Sequence, residues 1–430
     1  MLGYRYFVRA ASAAVLMFGV AAVSAPVQAT EGYFQHGFGV VSKTLAGAGV
    51  AYSQDAMGQA LNPAGLVAVE NQLNLGVAAF SPMRNFTGSG TEADNNAIPT
   101  GNFDSDNEFF PIPNFGVSYR LNDASSIGFA LYGNGGMNTD WEDMPHFSGG
   151  FGVFGGGRAG VDLSQTFLQP TYAYRIFDGL SVGVAPIFAI QVFEAKGLAA
   201  FAGVSDDSAN LTNNDHDISY GFGGRIGFQF APIDSVRIGG AYQFRTYMTE
   251  LDKYAGLFAE QGDFDIPPAM QVGISWKPID EVTLLFDFRR IWYSEVAAVG
   301  NPGPRSGADL AARRLGPDDG IGFGWDDINI FKFGAQWDVN QDWTLRAGYS
   351  LSENPISSSE VLFNILAPGV IEHHITGGVS YKVSENSTIN VGAFYAPASS
   401  VSGPNPLTTG QTIELEMSQF EFSVGWGWKF

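Results

Sequence analysis

The sequence lacks cysteine altogether, and it is poor in charge and in long apolar runs. Without cysteine no disulfide can hold the fold, a device that small exported domains usually need and a large closed sheet does not. Past the N-terminal stretch no segment strings together 18 apolar residues, which argues against a membrane-spanning helix. Basic residues are scarce, 22 against 43 acidic ones, for a net charge of −21. Nucleic acid and anionic bilayer surfaces are therefore poor partners.

What remains is rich in Gly (55), Phe (35) and aromatics generally (14%), with a mean hydropathy near zero. Polarity therefore alternates instead of collecting in blocks. The C-terminal stretch FEFSVGWGWKF shows this most plainly. In a strand, Phe422, Val424, Trp426, Trp428 and Phe430 share one face, and Glu421, Ser423 and Lys429 share the other.

Residues 1–29 read as a secretory signal: Arg5 and Arg9 lead an apolar run that ends at the small-residue site Val27-Gln28-Ala29. Without Arg5 and Arg9, 20 basic residues face 43 acidic ones, and the mature charge is −23. From about residue 70 onward, short turns rich in Asp, Asn, Pro or Gly recur at 121–125, 176–180, 232–235, 278–281, 340–342 and 384–386. Longer stretches lie between them, at about 86–109, 138–164, 196–217, 250–267, 297–326, 354–372 and 398–410. Tight turns at one end and long loops at the other are the pattern of an outer-membrane barrel. Six turns join twelve strands; one more at about 71–84 and a last at 411–430 make 14 antiparallel strands over residues 71–430. A soluble all-β protein would alternate too, but would follow its last strand with a polar tail.

Residues 30–70 do not alternate. They are small, Gly- and Ala-rich and low in charge, with a helix cap at Ser53 or Asp55 and a stop at Asn62-Pro63. A compact plug inside the barrel is the simplest expectation; a disordered tail is the alternative. Phe34-Gln35, the Gly47-Ala-Gly49 and Ala51-Tyr52-Ser53 stretches, and Asn62-Pro63-Ala64 resemble the N-terminal hatch of the FadL-type family. That resemblance spans nearly the whole mature chain. It implies a monomeric channel in the outer membrane of a Gram-negative bacterium that takes up long-chain fatty acids, or toluene, xylene and similar hydrocarbons. A general diffusion porin is the alternative, against which residues 30–70 argue.

Two features fit transport. Within the third strand, Gly133, Asn134, Gly135 and Gly136 allow a bulge, and the resemblance implies an inward kink there with a lateral exit; otherwise the run simply starts a loop. Strand phase turns Arg225, Arg245, Arg289 and Arg346 inward, with Asp287 beside Arg289. Each can pair with a barrel acid or meet a substrate carboxylate. Leu198, Phe201, Leu257 and Phe258, apolar residues in polar loops, correspond to the outer landing site that the resemblance implies. No catalytic constellation, cofactor motif or metal-ligand spacing stands out, so the reading is not an enzyme; the Gly150–Gly155 G-x-G-x-x-G lies in a loop without βαβ context. The remaining partners are outer-membrane lipid and lipopolysaccharide, the latter through ions held by acidic clusters such as Asp104, Asp106 and Glu108 if these are not merely solvated.

Overall fold

The structure, a computed structural model, describes residues 31–92, 94–142, 144–145 and 150–430. The signal-peptide expectation falls outside them. The wall begins with β1 (Gln72–Gly90), β2 (Phe110–Arg120), β3 (Ser125–Trp141), β4 (Ala159–Phe177) and β5 (Leu180–Lys196). It continues with β6 (Asp217–Ile233), β7 (Val236–Gln243), β8 (Ala269–Ile279), β9 (Val282–Ile291) and β10 (Ile328–Asp338). β11 (Trp343–Ser352), β12 (His373–Ser384), β13 (Ser387–Pro404) and β14 (Gln411–Lys429) complete it. Each strand pairs antiparallel with the next, and β14 pairs with β1, so the 14-stranded sheet closes on itself. Closure leaves no free edge, which a sheet inside a lipid bilayer requires. Two short strands, Gly101–Asp104 and Tyr247–Met248, lie outside the ring, beside β1 and β6.

All six tight turns fall where the sequence places them, and the long loops gather at the opposite end. In β14, Phe420 and Phe422 are 46% and 45% exposed while Glu421 and Ser423 are each 2%. The outward band, including Val184, Phe188, Phe222, Phe286, Phe333 and Ile375, is apolar and exposed, as a lipid-facing surface must be. Inward positions are polar: Gln169, Gln191, Gln229, Gln271, Asp287 and Lys332 are all buried.

Residues 31–70 form a short helix (Gly39–Lys43) and two 3₁₀ turns (Ala56–Ala60 and Pro63–Ala68). Their hydrogen bonds locate them within the ring. Ala56 N–H donates to Asn74 of β1, and Gln59 Nε2 to carbonyls on β2 and β3. Gln229 of β6 and Gln271 of β8 donate to the carbonyls of Val50 and Gly47. Asp287 of β9 accepts from the Gly49 and Val50 amides at 2.8 and 2.9 Å. On the far side, Ala46 N–H donates to Thr376 of β12, and Lys43 pairs with Glu421 of β14 at 2.6 Å. A segment bonded to strands all round the wall can only sit inside it. Wall glycines leave it room: a Cβ on Gly227 would lie 2.1 Å from Asn62 Oδ1, and one on Gly183 2.4 Å from Ala64 N.

Candidate functional site

β3 is where the wall departs from regularity. Its pairing with β4 shifts register between Gly133 and Gly135, so Asn134 is the bulged residue. Its pairing with β2 stops at Asn114 opposite Tyr132, although β2 stays paired with β1 as far as Phe110. Above Tyr132 the two strands part. The glycine run therefore does not begin a loop; the strand continues to Trp141, still paired with β4. There Thr139 Oγ1 and Trp141 Nε1 donate to the carbonyls of Leu366 and Ile365, which belong to the loop between β11 and β12. On the β2 side, Pro111 and Pro113 have no N–H to offer a neighbour.

The N-terminal segment takes the place that β2 vacates. Phe34 bridges to Gly135, Gln35 N–H donates to Asn134 O at 3.0 Å, and Gly136 N–H donates to Tyr33 O at 3.0 Å. Gln35 Nε2 adds a bond to Gly133 O at 2.9 Å. Glycine is required at 135, because a Cβ there would lie 2.0 Å from Tyr33 O. Further along, Asn62 caps the turn that starts at Pro63: its Oδ1 accepts from Ala64 N–H, and its Nδ2 donates to Val50 O and Phe228 O. The Asn62-Pro63-Ala64 motif thus ties a helix start, an earlier part of the segment and β6 together.

The four arginines are in different situations. Arg289 is buried against Glu31 at 2.7 Å and lies over the Phe34 ring. Asp287, expected beside it, instead serves the Gly49 and Val50 amides. Arg245 lies beyond the end of β7, so strand phase does not apply to it; it pairs with Asp265 at 2.6 Å in the following loop. Burial, and then the Asp265 carboxylate, push the neighbouring Asp263 carboxyl up to about 7. Arg346 bonds Gln54, Gln336 and Ser380. Arg225 bonds Tyr132 and Gln243 and lies over Phe38.

At the loop end, Leu198, Phe201, Leu257 and Phe258 line one narrow apolar cleft of about 30 Å³, shared with Phe363 and Leu366. Phe201 meets Phe363 edge-on, with ring centroids 5.3 Å apart. Leu366 also bears the carbonyl that receives Thr139, so the cleft and the inward end of β3 share a loop. A smaller cleft of about 20 Å³ lies beside Gly136 and Met137.

A match to the family described as "Outer membrane protein transport protein (OMPP1/FadL/TodX)" spans residues 27–419. The chain belongs to this family. It is an outer-membrane β-barrel of Gram-negative bacteria, in a family that transports hydrophobic compounds. Similar solved structures include the Pseudomonas putida toluene transporter TodX, 17% identical, with 92% of this chain and 99% of that one covered at a TM-score of 0.64. A Pseudomonas aeruginosa FadL homologue is 14% identical over 93% and 100% of the two chains, with a TM-score of 0.66. The Ralstonia pickettii toluene transporter TbuX is 19% identical over 92% and 99%, with a TM-score of 0.60. These likenesses show the fold. No curated protein sequence matches the chain.

Several residues that build this family member's site escape a reading of the sequence. Glu31 is buried between Arg289 and Lys332, and Lys332 also donates to His36 O at 2.7 Å. His36 and His374, far apart in sequence, stack with ring centroids 5.4 Å apart. The Pro111-Ile112-Pro113 element could have been found, since two prolines in a strand mark an edge.

Proposed function

We propose that the chain carries hydrophobic molecules across the outer membrane without an energy source and releases them sideways between β2 and β3. The parting of these strands above Tyr132 carries this reading. The edge there is covered by the backbone of residues 33–35, through hydrogen bonds each worth about 1 kcal/mol net. A bound molecule can displace so small a stopper, whereas a continuous ladder resists. Residues 31–70 act as a hatch, and their bonding all round the wall counts against an open water-filled porin. The apolar cleft of Leu198, Phe201, Leu257 and Phe258 is the first landing place.

Long-chain fatty acids are the favoured substrate, because burying a chain contributes about 0.8 kcal/mol per CH₂ and the loop-end cleft is lined by apolar residues. Aromatic hydrocarbons are the second reading, since two of the similar structures are named toluene transporters. The chain works as a single closed ring, with its long loops among the lipopolysaccharide. Energy-depleted cells that lack their own uptake protein should take up labelled palmitate when they make this chain, and toluene more weakly. Uptake of neither would sink the proposal.

A further inference from the structure

A polar cavity of about 460 Å³ lies at the turn end of the barrel, between the N-terminal segment and the wall. Tyr52, Gln54 and Asp55 line it from the segment, and Arg237 of β7, Arg346 of β11 and Lys382 of β12 line it from the wall. Asp342, in the exposed turn before β11, also borders it, so the cavity reaches the mouth of the ring. The turn end of an outer-membrane barrel faces the periplasm. In a chain with 22 basic residues against 43 acidic ones, three cations on one cavity are out of proportion.

None of the three forms an ion pair with a described residue, whereas elsewhere inside the ring Arg289 and Lys332 share Glu31, and Lys43 meets Glu421. Arg346 is held by neutral acceptors only, on Gln54, Gln336 and Ser380. Arg237 lies over the Tyr52 ring, 5.9 Å from its centroid. The acids close by are engaged elsewhere. Asp55 accepts from the Met57 and Gly58 amides, Asp338 from Gln336 and Thr344, and Glu70 pairs with Lys429 at 2.5 Å. Like charges that converge on one cavity repel one another and build a positive potential, which a bound anion offsets.

We infer that this cavity binds a small, soluble, hydroxylated phosphate ester from the periplasm. A phosphate monoester carries about two negative charges and three acceptor oxygens, which suits two guanidinium groups and an ammonium better than the single charge of a carboxylate does. The remaining walls include Gln72, Thr344, Thr388 and Asn390, whose amides and hydroxyls match a body rich in hydroxyl groups. Such walls offer hydrogen bonds where a hydrophobic cargo needs apolar burial, and they face into the ring, out of reach of bilayer lipid. The site is therefore separate from the transport route. An occupant would touch both segment and wall, and so would help to hold the segment in place.

The test is calorimetric titration of the purified full-length mature protein, in a nonionic detergent and a phosphate-free buffer, with glucose 6-phosphate, inorganic phosphate and glucose. Glucose 6-phosphate should bind saturably and glucose should not. Arg237→Gln should weaken the ester about tenfold, the loss expected for a hydrogen bond between charged groups. Lys382→Gln should weaken it several-fold, and decides the matter if Arg237→Gln does not fold. Lys277→Gln, which removes a cation at the same end that pairs with Asp280 outside the cavity, should leave affinity within about twofold. Binding of inorganic phosphate alone, with the same dependence on Arg237 and Lys382, would support the site and assign it to the free ion. No saturable binding of either phosphate would overturn the inference, as would binding that both cavity substitutions spare or that Lys277→Gln lowers equally. Palmitate uptake by cells making Arg237→Gln should stay at the native rate, so failure of this inference leaves the transport reading standing.

Discussion

Two seams of the same wall differ sharply. β1 and β14, at opposite ends of the sequence, stay in register without a break from Gln72 opposite Lys429 to Gly90 opposite Gln411. β2 and β3, joined by a tight turn, stay paired only from Arg120 opposite Ser126 to Asn114 opposite Tyr132. Chain proximity should favour the second seam, because its loop closes at little entropic cost. The outcome is the reverse, and local sequence explains it. β14 alternates strictly, while the β2–β3 seam meets two prolines on one side and a glycine bulge on the other. A barrel can therefore be closed where its ends meet and open between neighbours, if the opening is written into a few residues.

The largest way to disturb this contrast is to remove what covers the open seam. Without residues 31–66 the lumen loses the segment that bonds to strands all round it, and a nearly closed channel should become ion-conducting in planar bilayers. Unchanged conductance would mean that the segment does not block the lumen.

A smaller change acts through Glu31, which is fully buried between Arg289 and Lys332. Glu31→Gln removes the counter-charge of two buried cations. Breaking such an arrangement from one side costs about 3–5 kcal/mol. Hydrogen exchange should report it at the Gly136 amide, which donates to Tyr33 O, while amides along β1 and β14 keep their protection. Equal loosening of both seams would place the effect in the barrel as a whole.

How much of this was legible in the sequence differs between the same two regions. Turns and strands are readable wherever one face meets lipid and the other the lumen, because each residue then has an unambiguous side. The upper half of β3 is not readable in that way: from Ala130 to Thr139 every residue is buried, covered on both faces, so alternation vanishes and the stretch resembles a loop. The start of β4 lies inside the stretch 138–164 that reads as a loop for the same reason, since Ala159 to Leu163 is nearly all buried. The glycine run and the Asn62-Pro63-Ala64 motif were visible because they meet local backbone demands. Pairings such as Lys43 with Glu421 join residues hundreds of positions apart, and no periodicity announces them.

The smallest expected effect is pH-dependent and lies in the loop after β7. Asp263, whose carboxyl is pushed up to about 7, holds its proton more tightly in the folded loop than in an unfolded chain, where about 4 is usual. The resulting stabilisation is fully present below about pH 4 and is lost as pH rises through about 7. Proteolytic nicking of residues 244–268 should therefore increase between pH 6 and 8, and Asp263→Asn should flatten that rise. A rise unaffected by the substitution would assign it elsewhere.

The central claim is that the β2–β3 seam is the exit, and uptake through a straightened β3 tests it most directly. Replacing Gly133, Gly135 and Gly136 together with Val favours regular pairing and removes the space that Tyr33 needs at position 135. In a variant that still migrates faster unboiled than boiled, as a folded barrel does, palmitate uptake by energy-depleted cells should fall to the level of cells without the protein. Uptake at the native rate by that folded variant would contradict the account.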